Sequence, residues 1–167
     1  RAALHFWEEP CISGERGSGT VFFSGCALGC VYCQNRGISS GKVGKTVTRE
    51  RLVDIFFELE EKGAHNINLV TATHYLPSIK EAFDLPGSKL TIPVVYNCGG
   101  YERVESLKLL EGKVDIYLPD LKYTDPNLGK TLSGAVDYFP VAAKAIKEMV
   151  RQVGKPIFER ERLKKGV

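Results

Sequence analysis

Apolar positions along the chain fall into two kinds of run. Short continuous ones predict strands that are covered on both faces: Thr20-Val21-Phe22-Phe23-Ser24, Asn66-Ile67-Asn68-Leu69-Val70-Thr71, residues 90–97 and residues 114–118. Between them lie stretches with a helical period. Over 48–62, Leu52, Ile55, Phe56 and Leu59 recur on one face, with Thr48 placed to cap the helix, Glu50 in its first turn and Gly63 to stop it. Shorter helices are predicted over 77–85, with Ile79, Ala82 and Phe83 inward, and over 102–110. The strongest covers 138–153, with Phe139, Ala142, Ala143, Ile146, Met149, Val150 and Val153 on one stripe, Pro140 early and Gly154 at the end. Pro93 falls inside the third strand, tolerable near an edge or bulge. Residues 1–19 hold Pro10, Gly14, Gly17 and Gly19 without a sustained period, which predicts an irregular approach segment.

Strands alternating with helices imply βαβ units, a parallel sheet and right-handed crossovers. Four strands are too few to close an eight-stranded barrel, and the fourth is expected to present an open edge. Ligands of parallel βα folds gather at the carboxyl ends of the strands. That rule selects Cys26 to Cys33, Thr71-Ala72-Thr73-His74, Asn97-Cys98-Gly99-Gly100 and Asp120-Leu121-Lys122 as the candidate site.

Length and composition narrow the classes. A chain of 167 residues with 43% hydrophobic and 26% charged residues makes one ordinary globular domain, placed at 20–167 after the approach segment. A net charge of +3 is too small to argue for nucleic acid or an acidic membrane surface. No apolar run approaches a membrane span, and no signal-peptide pattern is visible. Five cysteines, three of them clustered, read as metal chemistry in a reducing compartment, so the expected location is cytoplasmic.

The clustered three are Cys26-x3-Cys30-x2-Cys33. Three thiolates this close converge on one soft centre if the backbone curls, and Gly25 and Gly29 are placed to supply positive φ. Soft thiolates select zinc, copper(I) or iron–sulfur clusters. Structural zinc and ordinary [4Fe–4S] clusters take four protein ligands, whereas three cysteines around four irons leave one iron open.

This spacing, with a strand just before it and aromatic Tyr32 before the last cysteine, resembles the cluster loop of the radical S-adenosylmethionine (SAM) enzymes. The flanks, Phe22-Phe23-Ser24-Gly25-Cys26 through Cys33-Gln34-Asn35, resemble the branch of pyruvate formate-lyase activating enzymes. The resemblance implies an α/β fold, an open partial (β/α)6 barrel, here incomplete after about four βα units. It implies a [4Fe–4S] cluster on Cys26, Cys30 and Cys33, and SAM contacts from Tyr32, near the adenine, and from Asp120 and Lys122. Lys122 would meet the methionyl carboxylate as a point charge. Asn97 offers a polar contact from the third strand. The implied activity is reductive SAM cleavage to a 5′-deoxyadenosyl radical that abstracts hydrogen. Its implied partners are an electron donor such as flavodoxin or ferredoxin and, for an activase, a glycyl radical enzyme.

One departure from that pattern stands out. Most of the superfamily carries Gly-Gly-Glu-Pro after the second strand to receive the SAM amino group, where this chain has Thr71-Ala72-Thr73-His74 and no carboxylate. Backbone carbonyls, the Thr73 hydroxyl or His74 would have to substitute.

Other readings lead elsewhere. Gly14-Glu15-Arg16-Gly17-Ser18-Gly19 precedes a strand instead of opening a helix, and Gly41-Lys42-Val43-Gly44-Lys45-Thr46 has Ser39 where a P-loop needs its first glycine, so neither is a phosphate cradle. Cys11 reads as a reduced, partly buried thiol, and His5 and His65 as solvent-facing. An iron–sulfur electron carrier would need a fourth cysteine ligand. A zinc-stabilised binding module would need Cys98, Cys11 or a histidine to complete its site.

Overall fold

A computed structural model describes all of residues 1–167. In chain order the elements are β1 (Ala2–His5), α1 (Pro10–Ser13), β2 (Ser18–Phe22), α2 (Arg36–Ser39), α3 (Arg49–Glu61), β3 (Ile67–Val70), α4 (Leu76–Phe83), β4 (Val94–Cys98), α5 (Val104–Lys108), β5 (Ile116–Pro119), α6 (Pro126–Ser133), α7 (Tyr138–Val153), β6 (Ile157–Glu159) and β7 (Arg162–Lys165). A single-turn 3₁₀ segment, Thr73–Tyr75, leads into α4.

Five strands form one sheet in the order β1-β2-β3-β4-β5, parallel except for the antiparallel β1, and β6 and β7 form a separate hairpin. The architecture is the expected α/β partial barrel, and the sheet does not close on itself. Residues 1–19 are not irregular: they hold β1, α1 and the start of β2. A strand as short as Ala-Ala-Leu-His shows no period by itself, and its order comes from pairing with β2. The edge of β5 is partly met by Gly166, whose N–H bonds Asp115 O at 3.0 Å and whose carbonyl accepts from Tyr117 N at 2.9 Å.

The register determines what each face carries. Ile67 and Leu69 of β3 and Val94 and Tyr96 of β4 point to the helices and join Leu52, Phe56, Leu59, Ile79, Leu107 and Met149 in the main core. Here α3 keeps its predicted face and cap, with Thr48 accepting from Arg51 N at 3.2 Å, and Phe56 stacks on Phe83 with ring centroids 5.5 Å apart. Helix α7 keeps its predicted bounds but not its stripe. Tyr138, Ala142, Ala145, Met149 and Val153 are buried, whereas Phe139 and Val150 face solvent. Third-strand pairing begins only after Pro93, whose carbonyl accepts from Ile67 N at 2.9 Å.

On the inner face, Thr20, Asn68, Val95 and Ile116 make one layer and Phe22, Val70, Asn97 and Leu118 the next toward the carboxyl ends. The lower part is plugged by Ile12 of α1 and Leu163 of β7. Cys11 packs beside this plug, remote from the cysteine triplet, as a free half-buried thiol. His5 and His65 are only partly solvent-facing, each half-buried against neighbouring side chains. His5 lies edge-on to Phe22, and His65 Nδ1 receives Arg162 at 2.7 Å and Arg16 at 3.2 Å. Phe6 and Trp7 project into solvent beside this face, Trp7 with 88% of its surface free.

Leu69 has no exposed surface at the centre of the sheet. Leu69→Ala is therefore expected to lower unfolding stability by about 2–5 kcal/mol, read as a lower urea midpoint at unchanged m-value.

Candidate functional site

The four segments chosen from the sequence meet at the carboxyl edge of the parallel sheet. Glycine-mediated approaches show how closely. A Cβ added to Gly25 would fall 3.4 Å from the His74 ring, and one on Gly99 would fall 2.9 Å from Leu28 and 3.7 Å from Lys122 Cε. A Cβ on Gly100 would lie 2.2 Å from Asp120 O, so only glycine fits there, and its φ of +76° is one that glycine adopts freely. Thr71, at the end of β3, also has a positive φ of +58°, an outlier for a β-branched residue. It is held by its N–H bonding Asn97 O at 2.9 Å and by the burial of Ala72. Strain of this kind costs on the order of 1–3 kcal/mol and collects at functional sites.

The cysteine loop leaves β2 through Gly25, whose φ is +90° and whose N–H bonds Ile38 O at 2.9 Å. Gly29, expected to share that backbone freedom, has no positive φ. Its N–H donates to Ser133 O at 3.1 Å, and Val31 N–H donates to Leu132 O at 2.9 Å. These acceptors lie in the last turn of α6, where helix carbonyls lack intrahelical donors. The loop is thus docked on a helix that the hydrophobic pattern did not reveal.

Each thiol has one polar neighbour: Leu28 N–H donates to Cys26 Sγ at 3.4 Å, Ser133 Oγ to Cys30 Sγ at 2.9 Å, and Cys33 Sγ lies 3.3 Å from Ser39 Oγ. Burial pushes the Cys26 thiol up, and the neighbouring Cys30 and Cys33 add to this. Metal binding there must therefore displace a proton. As folded, the side chains do not close on a single point that would hold one ion. The fit to an iron–sulfur cluster rests on donor chemistry: three soft thiols on one glycine-bounded loop, with Cys11 remote and Cys98 buried in the main core.

The remaining predicted residues lie around that loop. Tyr32 is half exposed and its hydroxyl bonds that of Tyr123. His74 is exposed beside Gly25. Lys122 Nζ bonds Asp120 Oδ2 at 2.6 Å. Burial opposes protonation of Lys122, but the Asp120 partner outweighs it and lifts the pKa above its ordinary value. Tyr138 pins the segment, accepting from Lys122 N at 3.0 Å with its hydroxyl 2.8 Å from both Gly99 O and Asp120 O. Asn97 does not face open solvent: its Nδ2 reaches both carboxylate oxygens of Glu8 at 3.4 Å.

Two carboxylates escaped the sequence reading. Glu8 lies on the inner face, where Asn68 Nδ2 also donates to it at 3.3 Å, and burial raises its pKa against the opposing pull of His5. Glu102 is only 3% exposed and accepts from Thr73 Oγ1 at 2.6 Å. The Thr71–His74 loop, without a carboxylate of its own, is therefore tied to one from the next loop. No spacing signal could have shown this, because the two residues are 29 apart. Desolvation raises the Glu102 pKa to about 7. The Tyr96 hydroxyl is near, yet Tyr96 Oη and Glu102 Oε2 are both buried without a hydrogen-bond partner. A cavity of about 490 Å³ lined by Phe83, Leu90, Ile92 and Asp115 lies at the amino ends of the strands, away from these groups.

A carboxyl whose folded pKa is raised binds more protons folded than unfolded between about pH 4.5 and 7, so it lowers stability as pH rises through that window. Glu102→Gln removes the titration while keeping the acceptor for Thr73. Wild type is expected to lose on the order of 3 kcal/mol relative to Glu102→Gln between pH 4.5 and 7.5, measured by urea unfolding across that range.

The chain covers 42% of the length of an uncharacterized protein of Methanocaldococcus jannaschii, to which it is 34% identical over 146 residues, 83% of its own length. The family model of the radical SAM superfamily matches residues 20–156. Members of that superfamily use a [4Fe–4S] cluster and SAM. The matched span runs from β2 through α7 and takes in all four segments at the carboxyl edge, and the chain belongs to the radical SAM superfamily.

Proposed function

We propose that Cys26, Cys30 and Cys33 hold a [4Fe–4S] cluster with one iron left open, and that SAM binds there among Tyr32, Thr73, His74, Asn97, Asp120 and Lys122. The observation that carries this reading is the convergence of the triplet loop with the loops after β3, β4 and β5, through the Gly25–His74 and Leu28–Gly99–Lys122 approaches. When bound, the cluster supplies the electron that cleaves SAM, and the adenosyl fragment takes a hydrogen atom from the substrate.

The chain's own groups bind and orient. Lys122 presents an ammonium to the methionyl carboxylate while Asp120, its present partner, turns to a donor of the ligand. Glu102 holds Thr73, and through it the strained loop after β3, in one position beside the cysteine loop, where it would face a bound ligand. Tyr32 offers an aromatic face at the rim. Docking of Leu28 and Tyr123 against Tyr138 and Ala142 excludes water from beneath the triplet.

The finer assignment is an activase that takes hydrogen from a backbone glycine of a partner enzyme, with a flavodoxin or ferredoxin as reductant. Its support is the likeness of Phe22 through Asn35, and of Asp120-Leu121-Lys122, to pyruvate formate-lyase activating enzymes.

Anaerobic reconstitution with iron and sulfide tests this reading. It is expected to load about four irons per chain and to give, after reduction, a paramagnetic signal that changes shape when SAM is added. Cys30→Ala should lose that signal. Stable loading with zinc alone, or a cluster indifferent to SAM, overturns the reading. The activase assignment further requires a glycyl radical signal in an added glycyl radical enzyme, and 5′-deoxyadenosine formed with no such signal defeats it.

A further inference from the structure

The hydroxyls beneath the cysteine loop form a continuous chain. Tyr32 Oη bonds Tyr123 Oη, Tyr123 Oη lies 2.7 Å from Ser133 Oγ, and Ser133 Oγ lies 2.9 Å from Cys30 Sγ. Each hydroxyl owns one proton, so the direction of the chain follows from its last member. A thiolate ligand has no proton to give, so Ser133 must donate to Cys30 Sγ. The Ser133 oxygen then accepts from Tyr123, and the Tyr123 oxygen accepts from Tyr32. All three O–H dipoles point toward one sulfur, and hydrogen bonds in such a line polarise one another.

The line is built into the fold. Helix α6 is started by Asp125, whose side chain accepts from Asn127 N at 2.7 Å, and ended by Gly134 in the left-handed region. Gly129 allows the chain to fold back toward α7, since a Cβ there would lie 2.4 Å from Ala135 O. With the α6 terminus fixed, Ser133 and Leu132 hold the backbone of Gly29 and Val31, while the Ser133 side chain reaches the cysteine between them. Ser133 and Tyr123 are buried, and Tyr32 brings the other end of the line to the surface with 51% of its area exposed.

Resting on the cluster reading above, we propose that Ser133, polarised by Tyr123 and Tyr32, is the residue that tunes the reduction potential of the cluster through Cys30. Reduction adds an electron to the cluster, and a donor on a ligating sulfur stabilises the added negative charge, raising the potential. Ser133 is thus a positioning and tuning residue, not a ligand.

The test uses the full chain, reconstituted anaerobically, with the midpoint potential read from a spectroscopic redox titration. At a fixed poise near the wild-type midpoint, Ser133→Ala is expected to lower the reduced-to-oxidised ratio about tenfold, which for a one-electron couple equals about 59 mV. Ser133→Thr, which keeps the donor, should stay near wild type. Tyr123→Phe, which leaves Ser133 in place but removes its polarising partner, should shift the potential in the same direction by less. An unchanged midpoint in Ser133→Ala at full iron content overturns the proposal, and so does one in Tyr123→Phe. If Ser133→Ala fails to hold four irons, Tyr123→Phe and Ser133→Thr decide the question. Wild-type protein with no SAM-responsive cluster defeats the cluster reading itself, a result distinct from a responsive cluster whose potential ignores Ser133.

Discussion

The structure depends on a parallel register that brings four strand ends to one level. Phe22, Val70, Asn97 and Leu118 lie side by side, so the chain leaves the sheet at the same height four times. Each exit opens a loop of small or charged residues, and the loops meet because the strands that deliver them cannot slip. A slip of one residue would send Ile67, Leu69, Val94 and Tyr96 to the inner face and replace them against the helices with Asn68 and Asn97. The apolar contacts of the outer face thus hold the polar groups of the inner face and rim in alignment.

Much of this was legible from local pattern. The α3 helix announced itself through its period, the Thr48 cap and the Gly63 stop, and strands after βα crossovers could only run parallel. What escaped was decided by distant partners. The β1 strand exists because β2 offers it an edge, and α6, eight residues long with few apolar positions, is fixed by its ends and by the fold-back at Gly129. The α7 stripe was misphased because its apolar residues cover more than one face. Tertiary packing chose Tyr138 and Ala145 over Phe139 and Val150. Leaving Tyr138 inward also gave the Asp120–Lys122 segment its hydroxyl anchor.

In the candidate site the same division holds. Spacing singled out the cysteine triplet and strand topology the four loops, since both are properties of the chain read locally. The contacts of Glu102 with Thr73, Glu8 with Asn97 and Ser133 with Cys30 span 29, 89 and 103 residues, and no sequence window contains them. The loop after β3 shows how these levels interact. Its sequence lacks a carboxylate, and the fold brings one to it from the neighbouring loop, at the cost of burying an acid whose pKa rises to about 7.

The close approach of Gly100 to the Asp120 carbonyl constrains how such a site can diversify. Because the loops after β4 and β5 touch backbone to backbone there, neither can acquire bulk at the contact without moving the other. Leu121, exposed between Asp120 and Lys122, carries no such restriction. What projects from the rim can therefore change freely, while the spacing between these two loops is set by the backbone contact at Gly100. The chemistry offered at this edge is left to side chains carried on a frame that the Gly100 contact keeps narrow.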